Sequence, residues 1–235
     1  MKNAAEREAL EYLRKDLLHN ISMIGPIERG TAQILHTGDD GVMLRDKVSG
    51  AVMLSVSTYE TGAKLLEKLP TAKLYLLHQG FMLEDLKAKV QLSNIHVDFT
   101  AAYFRDEPLP VRCDISIVPL DISALDLVER NYGVKVGADY LRGRLEAGAL
   151  FGAFVEGELV GFGGEHEEGS LGMLVVLEPF RRRGYAASLV GFGVNLQLER
   201  KLTPFSCVGV DNLASIEMHK KLGFTVSADR VWWVF

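Results

Sequence analysis

The sequence predicts an α+β fold in two domains: an N-terminal α+β domain over residues 1–108, and a C-terminal domain over 109–235 whose mixed sheet is flanked by helices. Three observations lead there. The chain has 235 residues, 48% hydrophobic and 24% charged, a composition that supplies two apolar cores and excludes disorder or low-complexity architecture as the main theme. Short apolar runs of strand length alternate with stretches of helical period. Between the two halves, Arg105-Asp106-Glu107-Pro108-Leu109-Pro110 is polar and carries two prolines, so it cannot be helical throughout and marks the boundary.

Ala9, Leu10, Leu13, Leu17 and Leu18 recur at the 3.6-residue period and predict a helix over residues 5–19. Residues 42–44 and 51–55 read as adjacent strands joined by the polar turn 46–50. Thr58 can cap a helix that Pro70 stops, 73–77 is a strand, 82–90 a helix and 95–104 a strand. In the second domain, 113–118 is a strand, Asp121 caps a helix through Arg130, 138–147 is another helix, and strands at 149–155, 159–165 and 170–177 form a three-strand meander. A basic turn at 181–185 opens a helix to Arg200. A strand at 205–210, a helix at 212–222 and a closing strand at 224–235 complete the order, with Trp232 and Trp233 on opposite faces.

The 26 basic and 31 acidic residues leave a formal charge of -5, and both halves share the imbalance, which argues against a nucleic-acid or anionic-membrane partner. Cys113 and Cys207 match no metal or disulfide spacing. His19, His36, His78 and His96 lie in separate elements with no shared spacing, so no metal is expected. No run of about 18 apolar residues is present, and the first eight residues lack a basic stretch followed by an apolar core. The expectation is a cytoplasmic protein without a membrane span.

The strongest chemical signal is Arg181-Arg182-Arg183-Gly184-Tyr185-Ala186, placed after an apolar strand and at the start of a helix. There the backbone N–H groups lack intrahelical partners and the positive end of the helix dipole faces outward, which makes an anion site. Gly184 permits close backbone approach. The spacing is neither that of a dinucleotide-binding loop nor that of a P-loop.

With Arg181, Gly184 and Ala186 at its fixed positions, this turn resembles the Gln/Arg-x-x-Gly-x-Gly/Ala signature of the GNAT superfamily of N-acyltransferases. The resemblance implies that residues 181–186 hold the pyrophosphate of acetyl-CoA or another acyl-CoA. It implies too that Leu174, Val175 and Val176, on the strand before it, align the pantetheine arm and polarise the thioester. A second match, from Asn212 through Ser215 and His219 to Gly223-Phe224, is similar to the family's closing pattern Asn-x-x-Ala/Ser-x-x-x-Tyr-x-x-x-Gly-Phe. Together the two motifs cover residues 112–235, and Asn212 and Ser215 join the candidate cofactor-binding set.

The departure is His219, which stands where many family members carry the tyrosine that protonates the leaving thiolate. A histidine can donate a proton near neutral pH; a degenerate site with a merely packed histidine is the alternative. For the base that deprotonates the amine, Glu165 is the first candidate and His166 the second, with Glu165 and Glu167 expected on one strand face and His166 on the other; an acidic hairpin turn is the plainer reading of 165–169. The extra N-terminal domain resembles the two-domain, glycine N-acyltransferase-like branch and could be a diverged copy of the same fold, although it carries no recognisable pyrophosphate loop. The expected function is acyl transfer from acyl-CoA to a primary amine of a small molecule or peptide by direct attack, with a non-catalytic acyl-CoA-binding or sensing module as the alternative. A homodimer is among the assemblies left open.

Overall fold

Asn3 sets the first helix. Its side chain accepts the Glu6 N–H while the Glu6 carboxylate accepts the Asn3 N–H, a capping box that starts α1 (Ala4–Leu13). The helix ends before residue 19: a short 3₁₀ turn covers 14–16 and Leu17 is exposed. Two elements follow that the sequence reading lacks, α2 (Ile21–Arg29) and β1 (Ala32–Gly38). Gly25 and Pro26 sit inside α2 and read as breakers, yet six of its nine residues are buried, and tertiary packing overrides the propensity.

The computed structural model describes residues 2–92, 94–132 and 136–235. After β1 come β2 (Gly41–Asp46), β3 (Val52–Val56), α3 (Tyr59–Glu67), β4 (Tyr75–Leu77), α4 (Leu83–Lys89) and β5 (Ile95–Ala102). Thr58 caps α3 by accepting the Thr61 N–H, as expected. Then follow β6 (Ser116–Pro119), α5 (Leu125–Asn131), α6 (Ala138–Glu146), β7 (Leu150–Val155), β8 (Glu158–Glu165), β9 (Leu171–Val176), α7 (Tyr185–Glu199), β10 (Phe205–Gly209), α8 (Leu213–Lys221) and β11 (Thr225–Val234).

Two units interleave along the chain: Met1–Ala102 with Cys207–Lys220 and Phe224–Phe235, and Tyr103–Ser206 with Lys221–Gly223. The first unit is built on a seven-stranded mixed sheet in the order β1-β2-β3-β4-β11-β5-β10. The pair β3 and β4 is parallel, while β11 is antiparallel to both β4 and β5. Where the sequence reading assigns 109–235 to one domain, β11 instead lies between two strands of the N-terminal region. The cause is the ladder: Trp232, Trp233 and Val234 pair with Leu77, Leu76 and Tyr75 on one side and with Val97, His96 and Ile95 on the other. One face of the sheet packs Leu44, Met53, Leu76, Val231 and Trp233 against Leu13, Met23, Ile24 and Ile27. The opposite face packs Val52, Leu54, Leu77 and Val234 against Leu65, Leu66 and Leu86. Trp232 and Trp233 thus fall on opposite faces, as period-2 alternation requires.

The second unit has a four-stranded antiparallel sheet, β6-β7-β8-β9. The expected meander is its last three strands, and β6 adds a fourth. Val128, Leu141 and Leu145 of α5 and α6 cover one face through Leu150, Phe162 and Met173. Tyr185 and Leu189 of α7 cover the other through Phe151, Ala153 and Val160.

His78, just past β4, is buried. Its Nδ1 faces the Leu54 carbonyl at 3.2 Å and must donate, so in the neutral ring Nε2 accepts from the Ser22 hydroxyl at 3.0 Å. Burial, reinforced by the neighbouring His19, pushes its pKa down to about 3. The neutral form is favoured by folding, so stability is intact above pH 6.5 and falls as the unfolded chain takes up a proton that the folded state refuses. The expected loss is roughly 1.4 kcal/mol per pH unit between 6.5 and about 3. Thermal melts of the protein and of His78→Gln across that range should differ in slope by one proton.

Candidate functional site

The turn at 181–186 is shaped before any ligand is considered. Gly184 sits at φ +85° as the N-terminal cap of α7, and Arg182 shares the left-handed region at φ +62°, a conformation that L side chains adopt at a cost. Arg112 holds the turn: its Nη1 donates to the Arg183 carbonyl at 2.8 Å, its Nε donates to Asp114, and its guanidinium lies 5.2 Å from the centre of the Tyr185 ring. Arg181 Nε donates to the Val176 carbonyl and fastens the turn to the end of β9. Arg183 lies over the Phe180 ring. The Ser188 N–H closes the first helical turn on the Gly184 carbonyl, so the amides ahead of it have no intrahelical acceptor. Arg181, Arg182, Arg183 and Gly184 are exposed, Tyr185 is buried and begins the helix, and Ala186 follows half-buried. The result is an exposed cationic turn with oriented amides at the positive end of a 15-residue helix.

Leu174, Val175 and Val176 lie on β9, an edge strand of its sheet. Phe162 pairs with Val175 and Gly164 with Gly172, so Met173 and Leu174 together oppose Gly163 alone. This is a β-bulge, with Met173 at φ +50° and its side chain buried in the core. The bulge turns the backbone of 174–176 away from the regular ladder. Met173 is an ordinary apolar strand residue that gives no sequence signal for it, and the sequence reading missed Met173, Arg112 and Tyr140.

Glu165 ends β8 and is tied down: its carboxylate accepts from Gln197 Nε2 and pairs with Arg200 Nη1, each at 2.9 Å. His166 already belongs to a turn closed by its N–H on the Ser170 carbonyl, so the expected strand alternation through 165–167 does not apply. The His166 Nδ1 stands 2.7 Å from the Tyr140 hydroxyl, with the two rings stacked. A Cβ on Gly172 would come within 2.5 Å of His166 Nε2, so the imidazole lies directly on the β9 backbone beside the bulge. Burial, with Glu168 nearby, raises the Tyr140 pKa and keeps its hydroxyl protonated.

Asn212, Ser215 and His219 stand in the first unit. Asn212 Oδ1 accepts the Ser215 N–H, the expected cap of α8. His219 is buried against the Phe224 ring. Its Nδ1 lies 2.8 Å from the Ser215 carbonyl, which can only accept, so Nδ1 carries a proton. Burial lowers the His219 pKa, partly countered by that hydrogen bond. Among the described residues no cluster of metal-ligating side chains occurs and no helix is long and apolar enough to cross a membrane.

Residues 151–234, from β7 to β11, match the family described as FR47-like protein. A Drosophila protein superimposes with a TM-score of 0.70 at 15% identity, covering 98% of this chain and 96% of that one. A GCN5-related N-acetyltransferase from Kribbella flavida gives 0.55 at 11% identity (93% and 95% covered), and a GNAT-family acetyltransferase from Colwellia psychrerythraea 0.52 at 14% (100% and 98%). The fold is that of the GNAT acetyltransferases. No curated protein matches the sequence. Within this GNAT fold the bulged strand, the turn and α7 all fall in the second unit, and α8 with His219 falls in the first.

Because Arg112 bridges the turn to β6's approach, Arg112→Ala is expected to speed amide exchange at 182–187 by about tenfold, the worth of roughly one hydrogen bond, with other amides of α7 unchanged. Hydrogen exchange read by mass spectrometry on peptides spanning 178–200 checks this.

Proposed function

We propose that the protein is an acyl-CoA-dependent N-acyltransferase acting on a primary amine of a small molecule or peptide. The observation that supports this reading is the turn at 181–186, with its outward amides and cationic rim at the start of α7, following a bulged edge strand. In this reading the turn binds the pyrophosphate through main-chain N–H groups, and the backbone of Leu174, Val175 and Val176 aligns the pantetheine arm. The amine nitrogen attacks the thioester carbon directly, the C–S bond breaks, and CoA thiolate leaves with a proton; no covalent enzyme intermediate forms.

His166 is the better base of the two candidates, since the Glu165 carboxylate is committed to Arg200 and Gln197. Tyr140 orients it. His219 is the residue that the resemblance places as acid. An acid must be protonated to act, and a pKa below the ordinary histidine value means that turnover dependent on His219 declines as pH rises through that lowered pKa. This buried, largely neutral histidine is also the observation that favours the second reading, a non-catalytic acyl-CoA-binding module. The resemblance to the glycine N-acyltransferase-like branch keeps a small amine, such as an amino acid, among the acceptors to screen.

Calorimetric titration of acetyl-CoA and of free CoA is expected to give micromolar binding that Gly184→Glu abolishes, because the substitution places a side chain at positive φ and a carboxylate on the phosphate site. Absence of binding by the unsubstituted protein overturns the proposal. With an accepted amine in hand, His166→Ala is expected to lower kcat by about 100-fold or more. Tyr140→Phe should lower kcat without altering acetyl-CoA affinity; an unchanged kcat would remove Tyr140 from the mechanism.

A further inference from the structure

Two helices grip the turn that carries His166, and all of these parts lie in the second unit. The turn joins β8 to β9 and is closed on itself by the His166 N–H on the Ser170 carbonyl and the Gly169 N–H on the His166 carbonyl. A hairpin end held by so few bonds opens easily unless other elements fasten it. From α6, Tyr140 and Arg144 stand one helical turn apart on one face and reach neighbouring residues. The Tyr140 hydroxyl meets His166 Nδ1 at 2.7 Å, and Arg144 Nε donates to the Glu165 carbonyl at 3.0 Å.

From α7 the grip is Gln197. Its side-chain nitrogen donates both hydrogens, one to Glu165 Oε1 at 2.9 Å and one to the Gly169 carbonyl at 2.8 Å. A single amide thus ties the residue before His166 to the third residue after it. Gln197 is 2% exposed, and its own Oε1 is buried without a hydrogen-bond partner. Rotating the amide would set that oxygen against two acceptors, so the partners fix its orientation. Methionine would fill the same place on α7 without leaving an unpaired acceptor in the core. What the glutamine supplies instead is the pair of donated bonds, and both act on the turn. Arg200 holds the other Glu165 oxygen from α7's end, but it is exposed, whereas the bonds of Gln197 are shielded from water.

We infer that Gln197 is a positioning residue for the acyl transfer proposed above, holding the turn so that the His166 imidazole stays over the β9 backbone at Gly172. The inference rests on that reading and on His166 as its base. Gln197→Met is expected to lower kcat about tenfold, as a base held slightly off its mark would, with acetyl-CoA affinity by calorimetry unchanged. In a His166→Ala background the same substitution should cost nothing further, because its effect runs through the imidazole. An unchanged kcat, an equal loss in both backgrounds or weakened acetyl-CoA binding overturns the assignment. Two NMR measurements need no turnover. In the unsubstituted protein the Gln197 side-chain protons are expected to exchange about a hundredfold more slowly than those of free glutamine; exchange at the free rate overturns the assignment even if the variant fails to fold. In Gln197→Met the His166 ring resonances should move toward solvent-exposed positions while those of His78 stay in place, and unmoved His166 resonances overturn it too. A protein that binds no acetyl-CoA overturns the acyl-transfer reading itself, whereas turnover with either NMR result failing removes only the role of Gln197.

Discussion

The structure hangs on the pairing of β11 between β4 and β5. Three consecutive residues, Trp232 to Val234, are hydrogen-bonded within ladders on both sides, and their side chains enter two cores at once, Trp233 and Val231 on the face of α1 and α2, Val234 and Trp232 on the face of α3 and α4. Without that strand β4 would present an apolar three-residue edge and β5 would be left with half its ladder. The strand also carries its own repair. Between Val226 and Arg230 the register slips against Ala101 and Phe99, and the Thr100 N–H, left without a ladder partner there, is taken by the Ser227 hydroxyl, which in turn donates to the Asp229 carbonyl.

In the second unit the governing constraint is smaller, one extra residue in β9. Forcing Met173 into the left-handed region stores strain that burial of its side chain holds in place. The same distortion sets the backbone that follows, and the strand runs on into the arginine turn through the tie from Arg181 to Val176. His166 lies on that strand because Gly172 leaves room for it. Edge strand, turn and imidazole are thus one construction.

How much of this could be read from the sequence follows from the range of each interaction. Local chemistry was legible: Thr58 and Asn212 as caps, Pro70 as a stop, Gly184 as the opening of α7, and the hairpin through Glu156-Gly157. Non-local pairing was not. Nothing in residues 225–234 says that they join strands from the first hundred residues, and nothing around Glu165 announces Arg200, 35 positions away. His19 and His78 looked unrelated at a separation of 59 residues, yet one ring nitrogen meets the other's carbonyl. Pro26 discourages helix in isolation, yet it is tolerated where the residues of α2 on both sides of it are buried.

The place of β11 also has a consequence in time. Strands β1 to β5 leave the ribosome more than a hundred residues before their central partner exists, so at synthesis rates of about 5–20 residues per second the first unit waits several seconds with β4 and β5 unjoined. A nascent chain in that interval offers two open apolar edges to any other strand, a matching strand of a second copy included. The order of synthesis thus leaves the centre of the first sheet to close last, the point at which an unpaired edge is most open to mispairing.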